Sequence, residues 1–171
     1  MWIRFRSYKV PGVPQVPEVP RVLEVLRFFV AGMACADARD MQSARRYQDL
    51  VCWQLADELE QLVHALTETG PVARDFKFRD QIRDSSSSAT RNMAEGFGRY
   101  WPREHARFLR IAKSSLMETH NSAGAGLKKK YFTALDTERM QRLCGRSGKA
   151  AVRLIKYLES LPPGESWRKG T

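Results

Sequence analysis

Beyond residue 46 the apolar positions recur at intervals of three and four, the period of an amphipathic α-helix. From Tyr47 onward, Cys52, Leu55, Leu59, Leu62 and Leu66 form one stripe, which Gly70-Pro71 ends. A second helix is predicted from an Asp75 N-cap to Gly96 or Gly98. Its inward face holds Phe78, Ile82, Ser85 or Ser86, Ala89, Met93 and Phe97. The run Ser85–Ser88 falls inside this helix, where small side chains let a neighbouring helix approach closely; packing explains it better than phosphorylation or a catalytic serine.

Pro102 suits the first turn of a third helix, where its missing N–H costs nothing. That helix turns Trp101, His105, Phe108, Leu109, Ala112 and Leu116 inward and is predicted to end at Gly124 and Gly126. Asp136 is the expected cap of a fourth, with Met140, Leu143, Cys144, Ala151, Leu154, Ile155, Leu158 and Leu161 on its inner face. Gly145 and Gly148 lie inside it and each cost about 1 kcal/mol relative to alanine, so a closely packed neighbour is expected there. Pro162-Pro163-Gly164 closes the pattern. No stretch shows sustained strand alternation. Four such helices, roughly 20–25 residues and about 30–37 Å long, joined mostly by short links, predict an all-α, antiparallel up-down four-helix bundle over residues 46–161.

Residues 1–45 and 162–171 read differently. Pro11, Pro14, Pro17 and Pro20 recur every third residue, the period of a polyproline II helix. Such a run can bind an SH3-like partner, though a stiff solvated tail is the commoner reading. The apolar run Val22–Ala36 is interrupted by Glu24 and Arg27 and is too short and charged to span a bilayer. Those charges also argue against a secretory signal, despite Ala34-Cys35-Ala36. Met33 and Met41 offer downstream translation starts, so residues 1–45 are expected to be poorly ordered or a mis-called gene start.

At 171 residues the chain has room for one ordinary domain, or one plus a tail. Its 29 Lys and Arg against 19 Asp and Glu leave a net charge of +10, which favours polyanionic partners but says nothing of fold. The charge is uneven. Residues 46–70 carry one base and five acids, whereas residues 71–161 carry 19 bases and nine acids. Arg99, Arg103, Arg107, Arg110 and Lys113, spaced four, four, three and three, cover a stripe about 120° wide opposite the third helix's apolar face. A solvated face usually mixes signs in i,i+4 pairs; like charges at this spacing destabilise a helix, so an anionic partner is a reasonable explanation. Lys128, Lys129 and Lys130 add a second cluster, followed by Tyr131 and Phe132. Basic residues beside aromatics suit phosphate contact with base stacking on single-stranded or looped RNA, although the two aromatics could instead be core residues at a loop edge.

A search for chemistry returns little. Three cysteines are too few and scattered for a disulfide scaffold or zinc site, and His64, His105 and His120 have no i,i+4 histidine partner. His105 reads as a hydrogen-bonded core histidine, and Cys52 and Cys144 as small core hydrophobes. Gly96-Phe97-Gly98 lacks the third glycine and preceding strand of a dinucleotide site. Asn92 and Glu95 could form a buried polar pair that fixes helix register. No metal, cofactor or catalytic residue is expected.

Three segments carry a resemblance: Tyr47-Gln48-Asp49-Leu50-Val51-Cys52-Trp53-Gln54-Leu55-Ala56, then Asn92-Met93-Ala94-Glu95-Gly96-Phe97-Gly98-Arg99, then Glu104 with Phe108 through Glu118. Together they resemble the small bacterial four-helix-bundle proteins first noted in intervening sequences of large-subunit ribosomal RNA genes. The accessory variability protein of diversity-generating retroelements is a relative. The resemblance spans roughly Arg46 to Leu161. It implies a cytoplasmic, non-enzymatic bundle assembled as a ring-like homopentamer; in the retroelement relative the basic pentamer binds nucleic acid and a reverse transcriptase. It makes Asn92, Glu95 and Gly96 structural signature residues, makes Arg99 through Lys113 candidate ligand contacts, and offers Trp53 for a subunit interface. The chain departs from the pattern at Ser85–Ser88 and Arg91, which are often more apolar or alanine-rich in relatives, and in a third helix that is expected to stop early.

The sequence therefore points to a basic, self-assembling helical bundle that binds nucleic acid, RNA rather than DNA, through phosphate contacts with little sequence specificity. The alternative is an oligomeric scaffold that docks a partner protein through the same basic face.

Overall fold

The computed structural model describes residues 44–162, which form four α-helices with two short 3-10 turns and, among the described residues, no strand. The proline run, the Val22–Ala36 stretch and the two candidate starts lie outside the described residues, as does the tail from residue 163. The helices are α1 (Val51–Thr67), α2 (Phe76–Gly98), α3 (Pro102–Lys128) and α4 (Ala134–Ser160). Each packs against its sequence neighbours, and α1 packs against α4 to close the square.

Side-chain bonds give the directions. Arg83 and Thr90 of α2 reach Thr67 and Glu60 of α1, in reverse order along the two helices. Ser88 meets Ser115 and Thr119 meets Ser85 between α2 and α3. Arg110 pairs with Glu159 near one end of α3 and α4, while Gly124 lies beside Gln141 near the other. Ser147 of α4 donates to the Cys52 carbonyl of α1, with Arg139 near Glu58. Every adjacent pair is antiparallel, so the chain forms the up-down four-helix bundle that its hydrophobic pattern predicts.

The core is one apolar cluster whose fully buried side chains include Leu59, Ile82, Met93, Leu109, Leu116, Met140 and Leu158. All the inward residues expected on α2 are buried. On α1 the seam is Cys52, Leu55, Ala56, Leu59 and Val63; Leu62 and Leu66 pack only at its margin. Helix α1 lies between two partners, α2 and α4, so its buried face is broader than one stripe and tilts toward Ala56 and Val63. Leu161, at the end of α4, is likewise only partly buried.

The serine run does more than permit close approach. Ser85 and Ser86 are buried, Ser87 and Thr90 donate to the Glu60 carboxylate at 2.8 and 2.6 Å, and Ser88 meets Ser115 at 3.0 Å. Thr119 donates to Ser85 at 2.9 Å. These bonds satisfy polar groups that would otherwise be expensive inside the bundle, and they tie α2 to both of its neighbours.

The helix ends differ from expectation at two points. Asp136 is not the cap of α4: Thr133 is, accepting from the Asp136 N–H at 3.1 Å, while the Asp136 carboxylate accepts back from the Thr133 N–H at 3.3 Å. That reciprocal pair is a capping box, with the acid three residues inside the cap. Nor does α3 stop at Gly124 or Gly126; it runs on through Lys128. Gly126 lies inside the helix because the Phe132 ring rests where its side chain would be: an added Cβ would stand 2.4 Å from two ring atoms. Helix α2 does begin at the expected cap, with Asp75 accepting from the Phe78 N–H at 3.2 Å. Gly70, at φ +77°, makes the turn after α1.

Candidate nucleic-acid interface

The three-residue link 99–101 turns the chain from α2 into α3. Asn92 and Glu95 do not form a buried pair. Half-buried Asn92 donates to the Ser88 carbonyl at 2.7 Å, whereas exposed Glu95 accepts from Arg99 at 2.5 Å. Gly96 is the closest approach of the two helices. A Cβ there would stand 2.7 Å from Phe108 Cβ and 2.9 Å from His105 Cδ2. His105 is fully buried, with Phe97 edge-on to it at 6.2 Å. This tight corner sets the Arg99 guanidinium over the Phe108 ring, 4.8 Å from its centre, which leaves Phe108 half-buried rather than in the core.

Arg99, Arg103, Arg107, Arg110 and Lys113 are all exposed on one side of the bundle. Arg99 pairs with Glu95 and Arg110 with Glu159. Arg103, Arg107 and Lys113 make no ion pair among the described residues. The stripe leans toward α4, where sequence reasoning missed a second row. Arg142, Arg146, Lys149, Arg153 and Lys156 are spaced four, three, four and three, opposite that helix's apolar face. The same spacing count that found the stripe on α3 would have found this row. Within it Arg142 pairs with Glu138 at 2.6 Å.

Lys128, Lys129 and Lys130 do not join the stripe. They lie at the far end of α3, about 37 Å from Arg103 at 1.5 Å per residue. Lys129 is held by Asp75 at 2.9 Å. Asp75 also accepts from the Tyr131 hydroxyl at 2.8 Å, and these bonds hold its carboxyl at about 2. Of the two aromatics that follow, Phe132 offers no free face to a base and Tyr131 is only partly exposed. Phe132 is buried against Gly126 and Phe78, and Tyr131 packs edge-on to Phe78 at 5.3 Å. Among the described residues the exposed aromatics are Phe76 at the start of α2, whose ring lies under the Arg79 guanidinium, and two residues beyond the other end of that helix. Tyr100 and Trp101, ring centres 5.0 Å apart, stand in the 99–101 link, and Trp101 is not on the core face expected of it. Trp53 lies half-buried, edge-on to Tyr47 at 5.1 Å.

Among the described residues, nothing lies within 4 Å of a Cβ built on Gly145 or Gly148. They help line an open groove of about 530 Å³ between α3 and α4. Its floor is Leu116, Met117 and Val152, and Lys113, Lys149 and Arg153 stand on its rim.

Burial pushes the Cys52 and Cys144 thiols up to about 12, far from the thiolate form at neutral pH. Among the described residues no three His, Cys, Asp or Glu side chains gather to hold a metal ion, and no helix is long and apolar enough to cross a membrane.

A family model described as 23S rRNA-intervening sequence protein matches residues 48–152, which include α1, α2, α3 and most of α4. No curated protein matches the chain.

Proposed function

Because the chain belongs to the 23S rRNA-intervening sequence protein family, we propose that it is a cytoplasmic, non-enzymatic RNA-binding protein that works as a homopentamer. The basic side of α3 and α4 contacts phosphates, with little readout of base sequence. The observation that carries this reading is the unpaired basic charge on that side. Arg103, Arg107 and Lys113 stand exposed without an acidic partner among the described residues, and Lys149 and Arg153 face Lys113 across the groove. Like charges held together this way repel, and an anionic polymer relieves that repulsion by replacing condensed counterions.

Self-association is supported by the groove. Its floor carries exposed Met117 and two helix-interior glycines that meet no neighbour among the described residues. Its rim is basic, while α1 carries Asp57 and Glu58, both partly exposed, with Glu58 also near Arg139 of α4. One copy's α1 therefore complements the next copy's α3–α4 groove, a head-to-tail contact that closes into a ring when its rotation allows.

The test is RNA affinity against salt. Replacing Arg103 and Arg107 by alanine should weaken binding and flatten the slope of log affinity on log salt by about 1.4, at about 0.7 per lost phosphate contact. Helicity should not change. Unaltered affinity would reject the assignment. A second reading, in which the same face docks an acidic partner protein such as a reverse transcriptase, rests on the same unpaired charges. A co-purifying acidic protein, with no nucleic acid retained, would favour it.

A further inference from the structure

Resting on that reading of the α3 face, we propose that Tyr100 and Trp101 form a stacking platform for unpaired bases, so that the ligand is single-stranded or looped RNA rather than duplex. Phe78, Phe97 and Phe132 are buried and exposed Phe76 carries the Arg79 guanidinium 4.8 Å over its ring, yet Tyr100 and Trp101 stand 63% and 47% exposed at the entrance to α3. Their rings meet edge to face at 88°, which leaves ring surface open to a planar ligand. Both are held on a short link between two long helices, so little side-chain freedom remains to be lost on binding.

The surroundings separate base from backbone. Arg99 and Arg103 flank the pair in sequence, and Arg107 follows one turn along α3. Behind Trp101 lies a recess of about 320 Å³, also lined by Pro102, Arg103, Glu104, Leu158 and Leu161. Its apolar wall suits the faces of a nucleobase. Glu104 repels phosphate but can accept from a base N–H, such as the N3–H of uracil. A base therefore enters the recess while its phosphates stay outside on Arg103 and Arg107. In a duplex the bases are stacked on one another and offer no free face, so the platform gains nothing from paired RNA. Every base has a π-face, which keeps the contact tolerant of sequence.

The experiment measures binding of the full-length chain to labelled oligouridine and to an RNA duplex of equal length, across a salt series. Trp101→Ala should weaken oligouridine binding about tenfold or more at every salt concentration. The salt slope should not change, since no phosphate contact is removed, and duplex affinity should not move. Trp101→Phe should restore most of the loss, and Tyr100→Ala should repeat it in part. The proposal is overturned if Trp101→Ala and Tyr100→Ala bind oligouridine as tightly as the parent, or if they weaken duplex binding equally. If Arg103→Ala with Arg107→Ala weakens binding while the aromatic variants do not, the platform falls and the RNA-binding reading stands. If the parent binds neither RNA, both fall together.

Discussion

Replacing Gly96 by alanine should destabilise the bundle, although the same change strengthens most helices. In an open helix interior it gains about 1 kcal/mol. At Gly96 the new methyl would stand 2.7 Å from Phe108 Cβ, 2.9 Å from His105 Cδ2 and 3.3 Å from the His105 carbonyl oxygen. Carbon atoms prefer to be about 3.5–4.0 Å apart, so α2 and α3 must separate by about 1 Å at this corner. A Cβ and a backbone carbonyl cannot be relieved by a rotamer change. The overpacking cost therefore belongs at the upper end of the usual range, about 3 kcal/mol, and the net loss is about 2 kcal/mol. The assay is urea unfolding followed by far-ultraviolet circular dichroism, at one fixed protein concentration because assembly contributes to apparent stability. Gly124→Ala, inside α3 and away from the groove, is the control. Its Cβ would meet only the end of the Gln141 side chain, at an ordinary 3.6 Å, so it should stabilise by about 1 kcal/mol. If Gly96→Ala gains stability as the control does, the close approach at this corner is not what holds α3 in place.

Three further outcomes follow from the same geometry. Lys130 occupies φ +60° as the residue just past α3, with the Tyr131 and Lys130 N–H groups returning to the Gly126 and Leu127 carbonyls; Lys130→Gly should raise stability by about 1 kcal/mol in the same urea assay. Asp75 is held at about 2, below its ordinary 3.8, by Lys129, Tyr131 and the Phe78 N–H; its contribution is present above pH 4 and lost as pH falls toward 2. Asp75→Asn should therefore flatten the acid limb of thermal stability against pH, and an unchanged limb would contradict the role given to that cluster. Gly148→Leu should leave helicity intact but fill the α3–α4 groove, shifting light scattering from an assembly toward a monomer; an unaltered assembly would move the subunit contact elsewhere.

Much of the bundle is legible in the sequence because buried positions recur at the helical period, as on α2, where every expected inward residue is buried. The period does not by itself place the centre of the stripe, and on α1 Leu62 and Leu66 give way to Ala56 and Val63. Helix ends depend on tertiary partners that no local pattern contains. Gly126 reads as a stop until Phe132 is seen lying over it, and Asp136 reads as a cap until Thr133 is seen to share the box. The basic stripe on α3 was readable from spacing, and so was the row on α4. The choice of aromatics was not. Lys128–Lys130 beside Tyr131 and Phe132 looks like the better stacking site, yet a turn residue's exposure is decided by what packs beneath it. Phe132 fills the space over Gly126, whereas Tyr100 and Trp101 find no place in the core. Gly145 and Gly148 show the same limit, since their open faces appear only once all four helices are in place.

The account is tested most directly by light scattering coupled to size exclusion of the full-length protein, at low and high salt, with nucleic-acid and protein absorbance followed together. It predicts a pentamer-sized species that carries nucleic acid at low salt and sheds it at high salt. A species free of nucleic acid at both salt concentrations, and unable to take up added RNA, would contradict it.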